Sequence, residues 1–196
     1  MPLPFFYSDE IKASTKQFVL NEETSKHVVQ VLRMQNGEPL QLTDGKGTVF
    51  IADITDNDRK KCAVTILSTS TQPAPVKKIS IGISLVKNST RFEWFLEKAT
   101  EIGVTEVIPM LCARTEKQHF RHDRMKNIVI SAMLQSQQAW LPTLHEPTKF
   151  METLSASAQQ KFIAHWEEGM KEQLSSKLSG ANLDSFILIG PEGDFT

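Results

Sequence analysis

One strand–helix–strand run constrains the fold more than any other part of this sequence. Ile79, Ile81, Ile83 and Leu85 alternate with other residues and end in Val86, the two-residue period of a strand. Residues 90–102 follow with helical spacing, opened by a capping-box pattern, Thr90-Arg-Phe-Glu93, and closed by Gly103. Val104–Leu111 is then a second strand. Strands joined by a crossover helix run parallel, because parallel neighbours cannot be linked by a tight turn. The alternation continues with a helix over residues 124–139, strand Phe162–His165, helix Glu167–Lys177 and strand Phe186–Ile189. The second part of the chain therefore predicts an α/β domain.

The first part reads differently. Leu40 and Leu42 alternate with polar neighbours, Asp44-Gly45-Lys46-Gly47 is a turn, and Val49–Ile54 and Cys62–Leu67 follow as strands. Short strands at regular spacing predict a small antiparallel barrel or sandwich. A helix over Glu22–Met34 interrupts it, capped by Asn21 and stopped by Asn36-Gly37. The polar, proline-bearing stretch Ser68–Pro75 reads as a linker. These features predict two domains, residues 1–72 and 73–196.

Net charge is −1 over 196 residues, but it is unevenly spread. Residues 73–149 hold eleven basic and seven acidic side chains, a net of +4, with Arg114, Lys117, Arg121, Arg124 and Lys126 the densest group. Such a segment suits a polyanion, although a solvated face would look the same. No apolar run approaches the roughly 18 residues of a membrane span, and the amino terminus has no signal-peptide pattern. Cys62 and Cys112, fifty positions apart, form no disulfide or zinc framework and are expected to be buried and inert. These features suggest a cytoplasmic protein with no membrane partner. His119 and His122 have no third ligand at suitable spacing, so no metal is expected. Trp94, Trp140 and Trp166 are expected in the core.

The last strand runs into Gly190-Pro191-Glu192-Gly193. Ligands of open α/β sheets bind beyond the carboxyl ends of strands, where glycine lets them approach the backbone. Two glycines could equally form a plain tight turn.

Taken in order, several pieces resemble the RsmE family of ribosomal RNA uridine methyltransferases, members of the SPOUT superfamily. They are Phe5-Phe6, His27-x-x-x-Val31-Leu32-Arg33-Met34, Asp44-Gly45-x-Gly47 and Lys87-x-x-x-Arg91-x-Glu93-Trp94-x-x-x-Lys98-Ala99-Thr100-Glu101-x-Gly103-Val104. Arg114, Gln135-Ser136, Leu141-Pro142 and Ile189-Gly190-Pro191-Glu192-Gly193 complete the set. The resemblance implies an α+β two-domain protein: a PUA-like β-barrel that grips RNA, then an α/β SPOUT domain with a trefoil knot. It also implies that the knot-forming segment lies beyond residue 196, so that this chain would lack one wall of its cofactor cleft. The implied reaction moves a methyl group from S-adenosylmethionine to N3 of a uridine in 16S rRNA, in a homodimer. Ile189, Gly190, Pro191, Glu192 and Gly193 would bind the cofactor, and Arg33, Lys98 and Arg114 would face RNA.

Removing the N3 proton leaves negative charge on the flanking carbonyl oxygens, which a positioned cation stabilises. Arg91 and Lys87 are the candidates: Lys87 sits just before the helix, at a strand's carboxyl end, and Arg91 shares a helix face with Lys98. A salt-bridged surface helix would show the same charges, since Glu93, Glu97 and Glu101 lie close by. The alternative function is an RNA-binding module without catalysis, or an inactive fragment.

Overall fold

A computed structural model of the chain describes residues 3–115, 119–165, 172–178, 182–191 and 195. It divides into two compact units: Met1–Ala74 with Met133–Leu141, and Pro75–Ala132 with Pro142–Thr196.

The first unit holds strands β1 (Phe5–Tyr7), β2 (Gln17–Val19), β3 (Pro39–Thr43), β4 (Thr48–Asp56) and β5 (Ala63–Thr71), in sheet order β1-β3-β4-β5-β2. The three strands expected from alternation pair antiparallel, as predicted. β1 pairs parallel to β3, so the sheet is mixed rather than purely antiparallel. Leu40, Leu42, Phe50, Ile54 and Val64 are buried with Val28 of the helix; each such side chain contributes about 1.5–3 kcal/mol.

Ser68–Thr71 is not a linker. It completes β5, pairing in continuous register with Thr48–Ile51, and the register shifts only beyond Ile51, before Ala52. Those first residues of β4 need hydrogen-bond partners, and exposed threonines tolerate the extended backbone well.

The helix is also shorter than expected. Asn21 does cap it, its Oδ1 accepting from the Thr24 N–H at 2.8 Å. α1 (Glu22–Lys26) then widens into a π turn over His27–Val31. Arg33 has a φ of 58°, so the helix has ended before Met34. Valines at 28, 29 and 31 crowd a regular helix, and the wider turn accommodates them.

The second unit contains a parallel sheet. Its strands are β6 (Ile79–Ser84), β7 (Glu106–Leu111), β8 (Thr143–Leu144), β9 (Thr148–Lys149), β10 (Gln160–Ala164) and β11 (Ser185–Ile189). The order is β10-β11-β6-β7-β8, with β9 also on β7, and every pairing is parallel. α2 (Ser89–Glu101) carries the chain from β6 to β7. Its cap is Asn88, which accepts from the Thr90 N–H, and not the Thr90–Glu93 box. Glu93 is engaged instead by Arg124 of α3 (His122–Gln135), through Nε at 2.7 Å and Nη2 at 2.9 Å. α4 (Phe150–Thr153) and α5 (Leu174–Lys177) complete the described helices. Of the helix expected over Glu167–Lys177, residues 167–171 lie outside the described residues, as do Trp166 and Lys117.

α3 stops at Gln135 rather than at residue 139. Gln137 takes a φ of 57°, the Gln138 N–H bonds the Met133 carbonyl, and the Gln137 N–H bonds Leu134. This is a Schellman ending made without glycine. Ala139–Leu141 then lies extended on the Asp44–Gly47 turn. The Gly47 N–H reaches Ala139 O and the Leu141 N–H reaches Gly45 O, both at 2.9 Å.

At the amino edge of the parallel sheet, Glu106 accepts hydrogen bonds from Ser80 and from Lys78 (2.9 Å), and pairs with His145 Nε2 (2.7 Å). Burial pushes its carboxyl up, and these bonds more than reverse that, holding it below the ordinary glutamate value. A depressed carboxyl stabilises the fold above its unfolded pKa, and that stability is lost as pH falls through the folded one. Glu106→Gln should therefore cost about 1–3 kcal/mol at neutral pH. In urea titrations the gap to wild type should close below about pH 4; a constant gap would show that the charge is not responsible.

Candidate active site

The carboxyl ends of β11, β6 and β7 lie side by side in the second unit. Ile189 pairs with Ile83, and Ser84 pairs with Met110. The chain leaves β11 through Gly190 and Pro191. A Cβ at Gly190 would meet the Phe195 ring at 2.9–3.1 Å, so a side chain there would have to displace Phe195. That ring is buried and stacks on Phe150 with centroids 4.7 Å apart, over Met110, Cys112, Phe186 and Leu188. The corner is thus an apolar floor beneath a partly exposed backbone. Glu192 and Gly193 lie outside the described residues.

After β6 the chain runs through Leu85 and Val86 to exposed Lys87, then enters α2. Leu85 is held by its N–H to Met110 O at 3.0 Å. Arg91 is exposed in the first turn of α2, where it borders an apolar cleft with Ile83, Val86 and Phe92. Lys87 and Arg91 therefore sit at the carboxyl edge of the sheet, one strand over from Gly190.

The loop after β7 is pinned to the same edge. Thr115 Oγ1 accepts from the Cys112 N–H at 2.8 Å and lies 3.1 Å from Ser84 Oγ. The tight turn exposes Arg114. Ser84 and Thr115 were not singled out from the sequence; small hydroxyl side chains at strand ends are too common to stand out. Both cysteines are buried, and burial pushes their thiols up.

The remaining expected sites are placed differently. Lys98 Nζ is held by Glu97 Oε1 at 2.8 Å and Glu101 Oε1 at 2.9 Å, and these carboxylates raise its pKa. Arg33 belongs to the first unit, exposed on its left-handed turn with Val31 (67% exposed) and Leu32 (42%) beside it. Trp140 is only partly buried and Trp94 is 63% exposed, so neither is the core residue expected. Among the described residues no cluster of three His, Cys, Asp or Glu could hold a metal, and no helix is long and apolar enough to cross a membrane.

Two known families match the two parts of the chain: residues 72–196 fit one described as RNA methyltransferase domain, and residues 20–67 one described as RNA methyltransferase PUA domain. They define the class, a methyltransferase domain carrying a PUA domain. A probable rRNA-methyltransferase from Porphyromonas gingivalis is 36% identical, with TM-score 0.87, over 99% of this chain and 82% of its own. Ribosomal RNA small subunit methyltransferase E from Neisseria gonorrhoeae, solved bound to S-adenosyl methionine, is 26% identical with TM-score 0.84 over 99% and 82%. The protein of the same name from Synechocystis is 30% identical over 87% of this chain and 57% of its own length. The chain belongs to the RsmE family of RNA methyltransferases.

Proposed function

We propose that the protein transfers a methyl group from S-adenosylmethionine to N3 of a uridine in 16S rRNA, in the cytoplasm and as a homodimer. The observation that carries this reading is the shared edge. Gly190-Pro191 ends one strand, and Lys87 and Arg91 follow its neighbour, in a member of this family. In it, residues 1–72 grip the RNA and residues 73–196 hold the reacting groups.

The residues present fit the cofactor. Ile189, Gly190 and Pro191, with Glu192 and Gly193 beyond them, would hold it, because bare backbone over the Phe195 floor suits a flat adenosyl group. S-adenosylmethionine supplies an electrophilic methyl group when bound. The chain's own part is to orient the uracil and to favour its N3 anion. Arg91, with Lys87 beside it, donates hydrogen bonds to the carbonyl oxygen that gains charge as the N3 proton leaves to solvent. Arg114 would face the RNA backbone; Lys98 would first have to leave Glu97 and Glu101.

The test is calorimetric titration with S-adenosylmethionine, followed by transfer of labelled methyl to small-subunit rRNA and mass spectrometry of the nucleosides. N3-methyluridine supports the reading. RNA binding with neither cofactor binding nor methylation would leave a binding module instead.

Arg33 gives a separate check on the first unit. A left-handed non-glycine residue showing two apolar side chains to water suggests a contact surface. Arg33→Ala should weaken RNA binding by about three- to tenfold and lower the salt slope by about one, as read by filter binding at several salt concentrations. An unchanged slope would remove Arg33 from the interface.

A further inference from the structure

β6 ends on a buried hydroxyl. Ser84 lies at the carboxyl end of that strand with no exposed surface, and its side chain must find partners there. It donates to the Leu85 carbonyl at 3.2 Å and lies 3.1 Å from Thr115 Oγ1. A hydroxyl has one proton to give, so Thr115 is the donor of that second bond. Thr115 Oγ1 in turn accepts from the Cys112 N–H at 2.8 Å. The bonds form a directed relay, Cys112 to Thr115 to Ser84 to Leu85, in which each hydroxyl gives one bond and takes one. We infer that Ser84 and Thr115 are positioning residues for the RNA: their relay fixes the Cys112–Thr115 turn so that Arg114 meets a phosphate next to the target uridine.

Three observations support this, and the inference rests on the RNA methyltransferase reading above. The turn is closed from both sides, since the Thr115 N–H also bonds the Cys112 carbonyl at 3.1 Å; Ala113 and Arg114 are its central, exposed residues. The relay anchors the turn to a different strand. Leu85, where the relay ends, gives its own N–H to the Met110 carbonyl at 3.0 Å, so the ends of β6 and β7 are tied twice. The turn also lies at the edge where the reaction is proposed. β7 neighbours β6, and β6 neighbours β11, which ends in the proposed cofactor turn. Two strand spacings of about 4.8 Å put the ends of β7 and β11 about 10 Å apart, within the span of a nucleotide and an extended arginine. A guanidinium meets a phosphate best as a planar fork at a set angle, and a turn fixed in advance lowers the cost of ordering it on binding.

The experiment follows binding of a short fluorescein-labelled, uridine-containing single-stranded RNA by anisotropy at several salt concentrations. Arg114→Ala should weaken binding about five- to twentyfold and lower the salt slope by about one, as for one lost phosphate contact. Thr115→Val, which keeps the shape and removes the hydroxyl, should weaken binding about three- to tenfold, the cost of ordering an arginine and its loop on contact. Thr115→Ser should restore most of the affinity. Ser84→Ala should match Thr115→Val, and the two together should lose no more than either alone, because the same relay is broken. In an Arg114→Ala background Thr115→Val should cost nothing further. Wild-type affinity for Thr115→Val, a loss that persists without Arg114, an unchanged salt slope in Arg114→Ala, or no recovery in Thr115→Ser would each overturn the inference. Titration with S-adenosylmethionine separates the two proposals: absent cofactor binding and methyl transfer, with the Thr115–Arg114 cycle intact, counts against the reaction and not against the turn.

Discussion

Gly47→Ala should lower the melting temperature of the first unit by more than about 10 °C, the largest stability loss expected of any single methyl group added here. Two costs combine. Gly47 has a φ of 92°, a region that side chains rarely enter. Its Cβ would also fall within the edge of the Trp140 ring, with Nε1 only 2.9 Å away. The indole cannot swing aside cheaply, since Nε1 donates to the Pro73 carbonyl at 3.0 Å and the Gly47 N–H itself holds Ala139 O. Strain at a special φ and overpacking each cost about 1–3 kcal/mol, and at about 4–8 °C per kcal/mol for a unit of this size the shift is large. Trp140→Ala, which clears the ring, should be destabilising alone, yet Gly47→Ala added to it should cost only the φ term. Thermal melts followed by circular dichroism measure all three variants. Full additivity would show that the ring contact carries no energy.

That contact also shows what a sequence reveals and what it hides. The Asp44–Gly47 turn is legible from its residues, because its Asp and glycines have a local reason to be there. Asp44 Oδ1 accepts from the Lys46 and Thr48 N–H groups at 2.8 and 3.0 Å. The tryptophan almost a hundred positions away is not, because it reaches the turn only after α3 ends at a left-handed glutamine. Strands with a clear period, from β3 to β7, could be read directly, save the polar end of β5 at Ser68–Thr71, which has no apolar alternation to show it. β1 and β2 have three residues each, too few to show a period. On α2 the signal lies in the helical spacing and not in the run of apolar residues. Phe92, Leu96 and Ala99 face inward at helical spacing, and Trp94, two residues from Phe92, is turned about 200° away. Apolar neighbours along the chain are not neighbours on a helix face. The Gly190 turn could be found from its glycine and proline. Its Phe195 floor could not, since that depends on how Phe150 and β11 pack.

Arg91→Ala should lower methylation by about a hundred- to a thousandfold while leaving affinity for S-adenosylmethionine within a factor of two or three. The size is that of removing one donor aimed at developing negative charge. The asymmetry follows from position: Arg91 lies in the first turn of α2 after β6, whereas the proposed cofactor turn leaves β11. Any loss of stability should be small for an exposed first-turn residue. Alanine is the better helix former, and a cation in the first turn opposes the helix dipole, which offsets part of what the substitution removes. Lysine should recover only part of the rate, because an ammonium lacks the planar fork that meets an oxygen of the uracil ring at fixed angles. Raising the pH offers the sharpest control. If the guanidinium serves to favour the N3 anion, the Arg91→Ala deficit should shrink at alkaline pH, where more of the uracil is already ionised. A deficit independent of pH would mean that Arg91 holds the RNA and takes no part in the proton's departure. Equal losses in rate and in cofactor affinity would place it at the cofactor instead.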